Sequence, residues 1–214
     1  MNAALAALFC AGAALVRPGG DVMPHEASPI EQAWRAGQAA EASGQGAAAR
    51  ASYQRGIDLA RAALGADPNA PDALLWLSAN LAGEALTHGK LYALKVIPDI
   101  EAALLRLERV APAHDHAAAA RALANLYWKA PALVSVGSSK KAAQYFRLAL
   151  ARAPTFPGNQ AHAAAFFADA RDCASARPLA EAVAARADLA AFGPDAPEWA
   201  RLAREVLRDC RGVR

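Results

Sequence analysis

A chain of 214 residues, 55% hydrophobic and 20% charged, is long and apolar enough to bury a full core, which excludes a disordered chain and favours one folded unit. Its net charge of +3 is spread without a basic block, which argues against nucleic acid as a partner. Eighteen basic residues are Arg and five are Lys, and all five Lys fall between Lys90 and Lys141. Either genomic composition or a use of ammonium groups in the central segment accounts for that clustering.

From the N-terminus, Ala3 to Val16 is an apolar run closed by Arg17 and Pro18. It is too short to span a bilayer and about right for the apolar part of a secretory signal. Export, with residues 1–27 as signal segment and mobile leader, is the better reading; a buried first helix is the alternative. Cys10 follows Leu8 and Phe9 where lipid attachment requires small residues, so lipid anchoring is not expected. With the leader removed, Cys173 and Cys210 remain, an even pair that invites a disulfide in an oxidising compartment. Two unpaired thiols on a cytoplasmic protein are the alternative.

The domain itself, residues 28–214, reads as helices in succession. Ser28-Pro29-Ile30-Glu31 is a capping box that opens a helix to about Ala42. Ser43 to Gly46 break it, and a second helix runs to Leu64, with Gly65 and Asp67-Pro68 after it. Pro71 to His88 form a long apolar helix stopped by Gly89, and another spans about Pro98 to Val110. Asp115 to Trp128 and Ser138 to Ala153 make the next pair, Asn159 to Arg171 and Ser175 to Leu189 a fourth. Asp195 caps a last helix reaching Cys210. No alternating pattern or Asn-Gly turn is present, so the expected fold is all-α.

Pro68, Pro112 and Pro154 each follow a similar helix and lie 44 and 42 residues apart, a period of stacked helical hairpins. Before Pro154 stand Ala149, Phe146 and Ala142; before Pro68, Ala63, Ala60 and Gly56; before Pro112, Leu107, Leu104 and Ile100. The first of these sets is the A-x3-F-x2-A-x4-P signature of a tetratricopeptide second helix, and Leu123 to Lys129 resembles its L-G-x-x-Y-x-K stretch. Small residues at these positions let two helices approach closely. An α-solenoid of about four such hairpins plus a C-terminal helix is therefore expected. The period exceeds the standard unit by about eight to ten residues. The excess is assigned to extended connections within the central hairpins, "HGKLYALKVIP" and "KAPALVSVGSSK". Insertions of this kind project from one end of the stack, where they cover an opening or meet a partner.

The segment from Ala73 to Asn159, above all Lys129-Ala-Pro, a short apolar stretch, Gly137-Ser-Ser-Lys-Lys-Ala and then Ala153-Pro154, resembles the T component of tetratricopeptide-associated TRAP transporters, the TatT-like proteins. That resemblance implies an exported, non-enzymatic helical protein with a passage through its stack, so Leu133, Val134 and Val136 are expected to face either that passage or neighbouring helices. It also implies association with a periplasmic solute-binding protein in the uptake of a small organic ligand.

In the repeat register Arg121, Asn125 and Trp128 face the inner surface, a mixture of charge, directional hydrogen bonding and flat apolar area that suits a ligand pocket. Trp76 and Asn80, four residues apart, share one face of the preceding helix. Asn80 needs a partner there, a loop backbone or a ligand. Val136 and Ser138 from the Val/Ser/Gly loop complete the candidate ligand-binding set. "VGSSKK" lacks the spacing of a nucleotide loop, so Ser138 or Ser139 is read as a helix N-cap before a phosphate site. His114-Asp115-His116 has no third ligand in view, and Asp115 sits where a cap belongs, so no metal and no cofactor is expected. No serine has a base or nucleophile elbow, which disfavours an enzyme. The partners expected are a solute-binding protein or another protein, and a small organic ligand; self-association stays open. The rival is a tetratricopeptide scaffold holding a peptide or a partner protein in its groove, and a third reading is a domain serving only to assemble subunits.

Overall fold

The computed structural model describes residues 15–16, 22–23 and 26–212. Leu15–Val16 and Val22–Met23 form a two-residue antiparallel ladder. Every other regular element among the described residues is helical. Apart from Leu15 and Val16, the apolar run from Ala3, with both readings of it, falls outside the described residues, as does Cys10. No described helix is long and apolar enough to cross a membrane.

The described residues hold nine α-helices: α1 Pro29–Ala42, α2 Gly46–Ala66, α3 Pro71–His88, α4 Lys90–Val110, α5 His114–Lys129, α6 Ser139–Arg152, α7 Pro157–Asp169, α8 Cys173–Ala184 and α9 Ala196–Asp209. Consecutive helices pair as hairpins, each hairpin stacks on the next, and α9 closes the stack against α7 and α8. The chain is an all-α solenoid of four helical hairpins with a C-terminal helix.

Local sequence explains most boundaries. Ser28 Oγ accepts from the Glu31 amide at 3.3 Å and Pro29 fills the first helical position, fixing the start of α1. Ser138 does the same for α6 by accepting from the Lys141 amide, so "VGSSKK" is a helix cap. Asp172, rather than Ser175, caps α8. Small residues do set the hairpin spacing: Ala142, Phe146 and Ala149 of α6 and Gly56 and Ala60 of α2 are fully enclosed. Gly37 and Gly83 lie against the Tyr53 ring and Gly56 against the Asn80 amide, at separations that leave no room for a Cβ.

Three elements differ from expectation. The connection between α3 and α4 is Gly89 alone, at φ +93°, and Lys90 to Ile97 are helical rather than extended. The apolar residues Ala93, Val96, Ile97 and Ile100 carry the buried face of α4 back through that stretch, while Pro98 sits on the solvent side, where its missing N–H forfeits one helical bond. The added length in that repeat is helix, not loop. The second long connection, residues 130–138, is a loop, tied down by the Ser138 amide donating to the Tyr127 carbonyl at 2.8 Å. Its tip points outward: Leu133 is 99% and Val134 68% exposed, and only Val136 packs against the core. Finally, α8 stops at Ala184 instead of Leu189, because Arg186 swings to pair with Asp188 and donates to the Thr155 carbonyl.

Cys173 at the start of α8 and Cys210 after α9 are joined in a disulfide, with Cα atoms 5.5 Å apart. Closing a loop with a sequence separation of 37 contributes about 4 kcal/mol on the chain-entropy account. The close approach of three helices at Tyr53 gives a sharper test of the packing. Gly83→Ala pushes a methyl into the Tyr53 ring and should lower the unfolding free energy by about 1–3 kcal/mol, measured by urea denaturation with the slope unchanged.

Candidate ligand-binding cleft

The inner face is organised at the start of α5. Asp115, His116 and Ala117 adopt left-handed conformations, with φ of 43°, 56° and 63°, which cost energy in L-residues and persist only where surroundings fix them. Here the turn aims backbone and side chain inward. Arg121 Nη2 donates to Asp115 Oδ2 and its Nη1 donates to the His116 carbonyl, both at 3.4 Å; Nη1 also donates to Asn159 Oδ1 at 2.9 Å. The Asn159 amide in turn donates to the His116 and Ala149 carbonyls. The His116 ring lies flat on Phe156 at 4.3 Å, and the Arg121 guanidinium stands over the same Phe156 ring. Asp115 is therefore not a helix cap, as its position suggested, but the carboxylate of a buried ion pair. Burial pushes its pKa up while Arg121 opposes the rise.

A second charged group meets this one. Glu31 accepts from Arg35 Nε at 2.7 Å, and Arg35 Nη2 stands 3.9 Å from Asp195 Oδ2, so the first helix reaches the start of the last. Burial pushes Asp195 up to about 6 against the pull of Arg35 and Arg121. The solenoid thus curls until its ends approach across the inner face.

Beyond that closure, α5, α7 and α9 part to leave a cavity of about 580 Å³. Asn125, Trp128 and Lys129 enter it from α5, His162, Ala165 and Asp169 from α7, and Leu202, Val206 and Glu205 from α9. Arg171 and Cys173 close the rim. Trp128 Nε1 donates to Asp169 Oδ2 at 2.8 Å, and the ring meets Phe146 and Phe166 edge-on, so its orientation is fixed. Lys129 Nζ lies over the Trp128 ring, and burial lowers its pKa. His162 is wholly enclosed, and burial, with help from Arg121 and Lys129, pushes its pKa down to about 3, so the imidazole is neutral. Its Nε2 is buried without a hydrogen-bond partner. Such an atom is costly to leave unmet, which marks a place for a ligand or water contact.

The acids here are engaged: Glu198 and Glu205 with Arg201, Asp209 with Arg208, Asp169 with Trp128. Lys129 and Arg171 make no ion pair among the described residues. Arg171 moreover holds φ 63° after α7, a position that suits glycine, and the Asp172 amide behind it donates to the Phe167 carbonyl. No group of three or more potential metal ligands gathers among the described residues.

Of the seven ligand-binding candidates named from the sequence, the structure brings Asn125 and Trp128 to this cleft. Asn125 donates to the Arg121 carbonyl. Arg121 is spent on Asp115, Asn159 and His116 and lies outside the cleft lining. Trp76 is core, its ring tilted against Trp34 and its Nε1 donating to Asp72, and Asn80 donates to the Ile30 and Trp76 carbonyls beside Gly56. Val136 packs under its loop and Ser138 caps α6, both away from the cleft. Missed were His162, Lys129, Arg171 and the α9 face. A signal existed: His162, Ala165 and Asp169 recur at helical spacing on α7, as do Glu198, Leu202 and Glu205 on α9.

Arg121→Met should lower the unfolding free energy by about 3–5 kcal/mol, since it strands a buried carboxylate; a chemical-denaturation curve checks this. For His162 the folded pKa of about 3 lies below its ordinary 6.5, so the unfolded chain takes up the proton first as pH falls through that window, and stability drains away. Asp195, raised from 3.8 to about 6, acts in the opposite sense over part of the window, and it is common to both proteins compared. His162→Leu should therefore lose less stability than the parent between pH 6.5 and 3, read from melting temperatures across that range.

No protein-family model matches the chain, and no curated protein matches its sequence.

Proposed function

We propose that the chain is a non-enzymatic, exported binding component of the tetratricopeptide kind, similar to the TatT-like proteins, which holds a small organic ligand and passes it to or from a periplasmic solute-binding protein. The observation that carries this is the cleft between α5, α7 and α9. Its volume of about 580 Å³ falls within the range of small-molecule sites, and its lining combines Trp128, Leu202 and Val206 with a few fixed polar groups. Lys129 feels only the neighbouring Asp169, and neither it nor Arg171 forms a salt bridge among the described residues, so the ligand this cleft favours carries a negative group on an apolar body. His162 Nε2 supplies a buried polar contact at the cleft wall. The alternative, a scaffold gripping an extended peptide along the concave face, fits less well, because Arg35 and Asp195 approach across that face.

Saturable quenching of tryptophan emission by a panel of medium-chain organic acids, absent in Trp128→Phe, would support the site; no change with any acid would count against it. Arg171→Gly separates binding from folding. It should raise stability by about 0.5–1 kcal/mol by relieving the left-handed arginine, while weakening acid binding several-fold. Co-purification of a solute receptor from native periplasm tests the partner.

A further inference from the structure

The loop between α5 and α6 does not line the cleft, and only its ends, at Ala130 and Val136, pack on the core. It stands at one end of the stack. Helices α3 and α5 open successive hairpins and run the same way, so the Gly89 turn and the 130–138 loop lie at the same end. The level of each can be read from Glu101 of α4, which accepts from Tyr127 Oη of α5 and stands 3.9 Å from Lys141 Nζ at the start of α6. The eleven residues of α4 before Glu101, Lys90 to Ile100, therefore rise about 16 Å past the start of α6, alongside the loop.

Three of the most exposed large apolar side chains belong to this end: Leu133 at 99%, Leu91 at 85% and Val134 at 68%. All five lysines of the chain belong to it as well. Lys129 turns back over Trp128 and Lys141 lies over Tyr127, whereas Lys90, Lys95 and Lys140 are exposed at this end. Glu101 pairs with Lys141, while Lys90, Lys95 and Lys140 form no salt bridge among the described residues. Glu84 is bonded to Tyr92 and Glu101 to Tyr127, leaving Asp99 as the exposed carboxylate of α4 at this end.

We propose that this end of the solenoid docks on an anionic lipid surface, with Leu133, Val134 and Leu91 entering the boundary between headgroups and acyl chains and Lys90, Lys95 and Lys140 at its rim. Protruding aliphatic tips ringed by ammonium groups match that boundary, because a lysine stem can lie along apolar material while its charge stays at the phosphates. A protein partner is the poorer fit: protein interfaces are depleted in lysine and enriched in arginine and aromatics, and this chain, with eighteen arginines to draw on, places lysine here. The proposal is independent of what the cleft binds.

Co-sedimentation of the full chain with phosphatidylcholine vesicles, and with vesicles of equal parts phosphatidylcholine and phosphatidylglycerol, tests it. The full chain should sediment with the anionic vesicles and be released by salt. The double variant Leu133→Ser/Val134→Ser and the double variant Lys90→Gln/Lys140→Gln should each bind about tenfold more weakly at an unchanged melting temperature. Because every protein compared carries the same N-terminal apolar run, the difference between them isolates the tip. Variants that sediment as well as the parent would overturn the proposal, as would equal binding to neutral vesicles, no binding to either, or capture of an acidic protein through the tip without vesicle binding.

Discussion

The guanidinium of Arg121 is the point on which the C-terminal half of this solenoid turns. A charge taken wholly out of water must be met on every side, and here it is met by the Asp115 carboxylate, the His116 carbonyl, the Asn159 amide oxygen and the face of Phe156. Satisfying it forces three residues of α5 into left-handed backbone and seats Asn159 at the first turn of α7. Phe156 passes the constraint on, since its ring also meets Trp199 of α9 edge-on at 5.3 Å. One buried cation thereby fixes the mutual placement of α5, α7 and α9, the three helices that frame the cleft.

Alanine supplies the complementary half of the arrangement. Hairpins whose facing surfaces are Ala, Gly and an occasional Phe close to short distances and leave little void between paired helices. Space appears only where the pairing rule lapses. Helix α9 has no second helix of its own and packs on both members of the preceding hairpin, and its polar stripe of Glu198, Arg201 and Glu205 faces the opening instead of a neighbouring repeat. The cleft is the product of an unpaired helix at the end of a regular series.

The hairpin series was legible because proline punctuation and small-residue spacing are local signals. Ser28, Gly89 and Ser138 marked helix ends by chemistry that acts within a few residues. What failed depended on distant partners. Asn80 and Trp76 do share a face, but nothing near them in sequence says that Gly56 of another helix fills the space a ligand would need. Pro98 read as a helix start because proline favours that position, yet the buried face of α4 continues across it, and tertiary packing outweighed the lost hydrogen bond. The apolar loop read as a lining element because valine and leucine usually seek the interior, whereas Leu133 and Val134 stand in solvent. His162 and Arg171 escaped notice since the repeat register was applied to the central hairpins and not carried into the last.

Linear stacks of repeats melt from their ends, because a terminal unit has a neighbour on one side only. The Cys173–Cys210 bond changes that expectation at one terminus. It ties the final helix to the first residue of α8, so α9 cannot detach alone and the last two helices must be lost together. Fraying is thereby made asymmetric: the wall of the cleft that α9 provides is as durable as the hairpin beneath it, and an amide in α9 should open to solvent only when α8 does.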